Sequence, residues 1–163
     1  MQFSLPAEED TARLARQMGA WVQPGDCLTL HGPLGAGKSA FARALIRSLL
    51  GPEAEGQDIP SPTYTLVQSY ETTRGLLWHA DLFRLGDPDE TLELGLADAF
   101  ETDITLIEWP DRLGPYLPAR RLELSFTIVP NPQAAQTTAD TDPRTLDAKP
   151  VGPGWDWLDR LAA

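Results

Sequence analysis

From Glu8 to Ala20 apolar and polar positions recur at helical spacing, with Leu14 and Met18 four residues apart on one face. This run predicts a first helix. Pro24-Gly25 then turns the chain into Cys27-Leu28-Thr29-Leu30, a short and mostly apolar strand. After a glycine-rich stretch, Phe41, Ala44, Leu45 and Leu49 resume helical spacing, and Gly51-Pro52 ends that helix. Glu53 to Asp58 is a polar loop, and the two prolines of Ile59-Pro60-Ser61-Pro62-Thr63 force an extended segment. Tyr64 to Tyr70 is rich in β-formers and predicts a strand. Thr72 to Gly75 reverses the chain into Leu76-Leu77-Trp78-His79, a further strand ending at Ala80-Asp81.

Asp89 to Phe100 reads as a helix, with Gly95 as its weak point. Ile104-Thr105-Leu106-Ile107 reads as a buried strand that delivers Glu108 and Trp109 at its end. Leu122, Leu124, Phe126 and Ile128 alternate with polar residues between Arg121 and Val129, the pattern of a strand buried on one face. Pro130 to Pro150 is polar and Ala/Thr/Pro-rich, which predicts a loop, flexible over 130–142, with room for a short strand at Arg144-Thr145-Leu146. The C-terminal stretch, 151–163, predicts a short amphipathic helix through Trp155 to Leu161. Strands interleaved with helices imply an α/β three-layer sandwich, with a mainly parallel central sheet and antiparallel edge strands. The 163 residues fit a single domain.

Composition narrows the possibilities further. No apolar run approaches the roughly 20 residues of a membrane span, and the N-terminus lacks the basic start and apolar core of a signal peptide. A cytoplasmic location is the expectation, with no membrane partner. The one cysteine, Cys27, excludes an internal disulfide framework and sits where a small core residue belongs. The two histidines are too few for a His-built metal site. A net charge of −11 disfavours independent binding to nucleic-acid phosphates, so contact with RNA is expected only through a partner.

The glycine-rich stretch carries the chemistry. Gly32-Pro33-Leu34-Gly35-Ala36-Gly37-Lys38-Ser39 fits G-x-x-x-x-G-K-[ST], the phosphate-binding P-loop. Glycines let such a loop wrap a phosphate with inward N–H groups, and the following helix adds its positive end. Lys38 supplies a mobile charge for β- and γ-phosphates, and the Ser39 hydroxyl reaches Mg²⁺. Lys38 and Lys149 are the only lysines, so a chain that otherwise uses arginine has a compact ammonium at this position. ATP and Mg²⁺ are the expected ligands.

Two strand ends offer the carboxylate that such a site needs. Glu108, after the most apolar strand, is the first candidate to hold Mg²⁺, directly or through water. Asp81 is a second, able to orient the attacking water or to share the metal's outer shell. Ser61-Pro62-Thr63 suggests a switch presenting the Thr63 hydroxyl toward γ-phosphate.

The order of motifs then resembles one family. The P-loop, Ser61-Pro62-Thr63-Tyr64-Thr65-Leu66-Val67, His79-Ala80-Asp81-Leu82-Phe83-Arg84-Leu85, Glu93-Leu94-Gly95-Leu96 and Ile107-Glu108-Trp109-Pro110 follow one another as in TsaE (YjeE-like) proteins. The resemblance spans roughly residues 5 to 148. It implies the ATPase component of bacterial tRNA threonylcarbamoyladenosine synthesis, weakly active alone and acting with TsaB and TsaD at adenosine 37. It further implies a metal role for Ser39 and Glu108, and catalytic roles for Asp81, Lys38 and the switch residue Thr63. Nucleotide contacts are implied for Thr11, the loop from Gly32 to Ala40, Trp109 and Arg144. Ser39 stands where the family usually has Thr, which keeps the hydroxyl. Pro33 replaces a commonly acidic residue, and Phe83 a common Tyr.

Two other readings share the P-loop. A small-molecule or nucleotide kinase commonly needs an Arg-rich lid, whereas the only adjacent arginine pair here, Arg120-Arg121, precedes a strand. A nucleotide-gated binding module with negligible turnover is the other.

Overall fold

Seven strands hydrogen-bond into one sheet, in a computed structural model that describes residues 1–130 and 142–161. They are β1 (Gln2–Leu5), β2 (Cys27–His31), β3 (Val67–Thr72), β4 (Gly75–Asp81), β5 (Ile104–Glu108), β6 (Arg121–Ile128) and β7 (Arg144–Val151). Their order across the sheet is β1-β7-β6-β2-β5-β4-β3. The centre, β6-β2-β5-β4, is parallel, while β3, β7 and β1 join antiparallel at the two margins. The helices are α1 (Glu8–Gly19), α2 (Lys38–Leu50), α3 (Glu90–Glu93) and α4 (Leu96–Thr102).

Strand alternation divides the interior into two cores. Leu28 and Leu30 of β2, Ile104 and Leu106 of β5, and Leu122 and Leu124 of β6 meet Leu14 and Met18 of α1 and Phe41 and Leu45 of α2. Cys27 and Ile107 face the other way, into Leu82, Leu85, Leu96 and Leu113. The result is the α/β three-layer sandwich that the pattern predicts. Burial pushes the Cys27 thiol up to about 12, against a smaller opposing effect of a Thr105 hydrogen bond. That is the behaviour of a core residue, not a reactive thiol.

Four local expectations are corrected. The strand expected from Tyr64 begins only at Val67, because Leu66 N–H donates to Pro62 C=O at 2.8 Å and closes a turn, with Leu66 at φ 64°. The helix expected over 89–100 breaks at Gly95 (φ 78°), where a Cβ would meet the Trp78 ring at 3.6 Å. The stretch read as loop to Pro150 contains β7, whose Leu146 and Ala148 are buried against β6. The N-terminal strand β1 was not expected; it exists by pairing with β7, Phe3 opposite Leu146. Ile128, expected inward, does pack against the core, half-buried at the end of β6. The C-terminal residues Asp156–Arg160 form a 3-10 helix with Leu158 buried. The flexible segment expected over 130–142 falls almost wholly outside the described residues.

Candidate functional site

Parallel strands place their carboxyl ends side by side, and ligand-binding loops gather there in open α/β sheets. Here β2, β5 and β4 end in register, with Leu30 opposite Glu108 and Glu108 opposite Asp81. The P-loop leaves β2 at this edge and enters α2. A cavity of about 560 Å³ opens over it.

Two glycines shape the loop. Gly32 has φ 136°, and a Cβ there would lie 2.6 Å from the Phe126 carbonyl oxygen. Gly37 has φ 101° and is the N-cap of α2, with no side chain capping the helix. The first N–H groups of α2 therefore have no partner from a capping side chain, the arrangement that suits an anion.

Lys38 is buried. Its Nζ donates to the Gly32 carbonyl at 2.6 Å and to the Pro33 carbonyl at 2.9 Å, and lies 4.3 Å from the centre of the Trp109 ring. Burial pulls the ammonium below its ordinary pKa, against opposing pulls from Glu108 and Asp81. Trp109 adopts a left-handed backbone (φ 58°, ψ 52°), unusual for a bulky residue. Its ring packs on Phe83, with centroids 5.0 Å apart.

Below the loop, Ser39 Oγ donates to Glu108 Oε1 at 2.7 Å, and His79 Nε2 lies 3.0 Å from Glu108 Oε2. Burial raises the Glu108 pKa, but the hydrogen bonds from His79 and from the Ser39 hydroxyl, with the Lys38 charge, outweigh it. The net position is below the ordinary value. Asp81 differs. Burial dominates there, and Glu108 adds repulsion, so its pKa is raised even though its Oδ1 accepts the Phe83 N–H at 3.1 Å. Two neighbouring carboxylates are thus pushed in opposite directions, a pattern typical of functional sites.

Most of the residues singled out from sequence line this cavity: Thr11, the loop from Leu34 to Ala40, Thr63, Asp81, Glu108, Trp109 and Arg144. Gly32 and Pro33 do not. They border a smaller cavity of about 260 Å³ on the other side of Trp109, and their carbonyls are turned to Lys38. Thr63 is half-buried and its hydroxyl lies 3.2 Å from that of Ser61. Arg144 spans the loop, donating to the Gly35 carbonyl at 3.1 Å, while its buried Nε has no hydrogen-bond partner among the described residues.

Glu8, Arg43 and Arg84 also line the cavity, and sequence reasoning assigned them no role. Helical spacing could have found two of them: Glu8 precedes Thr11 by three residues on α1, and Arg43 follows Ser39 by four on α2. Arg84 stacks its guanidinium on Tyr64, 4.6 Å from the ring centre. The lining carries four basic side chains (Lys38, Arg43, Arg84, Arg144) and three acidic ones (Glu8, Asp81, Glu108). In a chain of net charge −11 this is a local excess of positive charge, suited to an anionic ligand.

Sheet, loop and helix define a P-loop α/β protein. A family model for the threonylcarbamoyl adenosine biosynthesis protein TsaE matches residues 5–136, and the chain belongs to that family. Among similar proteins, the tRNA threonylcarbamoyladenosine biosynthesis protein TsaE of Rickettsia bellii is 37% identical over 128 residues, covering 78% of this chain and 87% of the relative. Its Bacillus subtilis counterpart is 34% identical over 117 residues, covering 71% of this chain and 70% of the relative. The crystal structure of Bacillus subtilis YdiB superposes with a TM-score of 0.67 at 26% identity, covering 99% of this chain and 92% of that one. Among the described residues no helix is long and apolar enough to cross a membrane.

Proposed function

We propose that this chain binds ATP with Mg²⁺ at the carboxyl edge of the sheet and hydrolyses it. In this reading it is the nucleotide-driven switch of tRNA threonylcarbamoyladenosine formation at A37, working in the cytoplasm with TsaB- and TsaD-type subunits. The observation that carries the reading is the Ser39 hydroxyl, 2.7 Å from Glu108 Oε1 at the first turn of the P-loop helix. These two oxygen donors suit a hard cation that takes its other ligands from phosphates and water. The buried Nε of Arg144 is a donor without an acceptor among the described residues, and a phosphate would supply one.

Roles follow from position. The loop N–H groups and Lys38 hold the β- and γ-phosphates, with Thr11, Trp109 and Arg144 around the rest of the nucleotide. Ser39 and Glu108 hold Mg²⁺, which supplies charge neutralisation at the phosphoryl oxygens. Asp81, whose pKa is raised by burial, orients the attacking water and accepts its proton. The family's part in tRNA modification, set beside a net charge of −11, supports contact with tRNA through partners only.

The test is ATP turnover by the chain alone and with its TsaB- and TsaD-type partners, together with a tRNA gel shift at low salt. Slow release of free phosphate, accelerated by the partners, and weak binding of tRNA alone are expected. Transfer of the phosphoryl group to an acceptor would make the chain a kinase. Failure to bind nucleotide would overturn the reading altogether.

Thr63→Ala is expected to weaken ATP-dependent association with the partners more than ATP binding. A switch spends its energy on the difference between two states. Pull-downs in ATP and in ADP, beside direct nucleotide titrations, check this. Association that ignores the nucleotide in the wild type overturns the switch assignment.

A further inference from the structure

His79 lies in β4, one strand away from Glu108, with no solvent exposure. A buried imidazole between two strands needs a reason, since a polar ring without partners costs free energy that an apolar residue would not. Only one of its nitrogens has a partner. Nε2 lies 3.0 Å from Glu108 Oε2, while Nδ1 is buried with none among the described residues. A carboxylate oxygen accepts, so Nε2 carries the proton and donates it, leaving Nδ1 as a bare lone pair. That tautomer is the cheaper one, because a buried N–H without an acceptor is among the most expensive groups to leave unmade.

The carboxylate is thereby held at both ends. Oε2 is tied to the ring, and Oε1 is presented to Ser39 Oγ at 2.7 Å, on the cavity side. Without the ring, the Glu108 side chain could rotate and offer either oxygen, or withdraw both toward solvent. Partners behind a ligating group fix its orientation, and their loss typically costs about 10- to 100-fold in metal affinity or activity.

We propose that His79 is a positioning residue that fixes Glu108 through an Nε2–H···Oε2 hydrogen bond, so that Oε1 is held beside Ser39 for a divalent cation. The proposal rests on the Mg²⁺ reading of Ser39 and Glu108 given above. It assigns His79 no contact with nucleotide.

Two experiments bear on it, and they fail separately from that reading. Long-range ¹H–¹⁵N spectra of the ring in the free protein report the tautomer directly, with His31 as the only other histidine to assign. A proton on Nε2 is expected; a ring protonated at Nδ1 alone overturns the proposal. The second is the gain in affinity for a non-hydrolysable ATP analogue when Mg²⁺ is added, measured for wild type, His79→Gln and His79→Leu. Gln can place an amide donor near the Nε2 position, whereas Leu fills the space without one. The expected result is a gain kept within about threefold in His79→Gln and cut about tenfold or more in His79→Leu, with metal-free affinity little changed in both. Thermal melts establish that the variants are folded, and the wild-type tautomer stands if His79→Leu does not fold. Equal gains in wild type and a folded His79→Leu overturn the role of His79 and leave the metal reading intact. No gain in the wild type overturns the metal reading itself, and with it this role.

Discussion

Lys38→Ala should lose productive ATP binding while keeping the fold. The ammonium is held in place before any ligand arrives, by the Gly32 and Pro33 carbonyls and the face of Trp109. Little ordering of that side chain is then required on binding, so its charge is available at small entropic cost. A charge-assisted hydrogen bond is worth about 1.5–3 kcal/mol, which is about 10- to 100-fold in affinity. The loss should reach the upper end, because Lys38 interacts with two phosphates at once in the proposed mode. Lys38→Arg is not expected to rescue binding, since a planar guanidinium cannot occupy the compact place between two carbonyls and a ring. Titration of nucleotide against folded variants, with melting curves beside it, is the measurement. Unchanged affinity in Lys38→Ala would sink the site assignment.

The removal of Lys38 also leaves the Gly32 and Pro33 carbonyls without that donor. A modest drop in stability is therefore expected in the free protein. It should be small beside the loss of binding.

How far this site could be read from the chain depends on what kind of information each part needs. The P-loop is a local motif, and its Gly-Lys-Ser ending at a helix start is legible because loop, charge and hydroxyl are contiguous. Glu108 and Asp81 were legible for a related reason. Each terminates an apolar strand, and parallel strands bring their carboxyl ends together whatever the details of register. His79 was read as a strand residue at the head of a family motif and as one of two histidines too few for a His-built metal site, with no role of its own. Its partner is 29 residues away, and only the register of β4 on β5 reveals the pairing.

Register likewise explains the missed strands. β1 and most of β7 carry no strong local pattern; each is completed by hydrogen bonds to a neighbour far along the chain. The turn that delays β3 is closed by the Pro62 carbonyl, a backbone bond that β-propensity at Tyr64 and Thr65 does not report. Arg43 and Glu8 were hidden differently. A charged residue on an amphipathic helix is ordinarily solvated, and the one local signal for these two was their helical spacing from Thr11 and Ser39. The packing of α1 beside α2 then makes them part of the cavity.

Glu108→Gln and Asp81→Asn should each lower ATP turnover by about 10²-fold or more, yet move stability in opposite directions. Glu108 in the folded protein lies below its ordinary value, despite burial, through His79, Ser39 and Lys38. Its ionisation therefore stabilises the fold above the ordinary glutamate value of 4.5, and that contribution is lost as pH falls through the lower folded value. Glu108→Gln removes it, so the variant should be less stable than wild type near neutral pH, with the gap closing in acid. Asp81 lies above its ordinary value because burial disfavours its charge and Glu108 repels it. Its ionisation costs stability, a cost absent below the ordinary aspartate value of 3.8 and complete once pH exceeds the raised folded value. Asp81→Asn removes that cost while keeping an oxygen to accept the Phe83 N–H. This variant should be more stable than wild type near neutral pH, and the gain should fade in acid. Denaturant melts of the metal-free protein from about pH 2.5 to about pH 8 follow both gaps across this window. A stabilised Glu108→Gln beside a destabilised Asp81→Asn would overturn both pKa directions. Turnover lost in Asp81→Asn but kept in Glu108→Gln would require the two carboxylates to exchange roles.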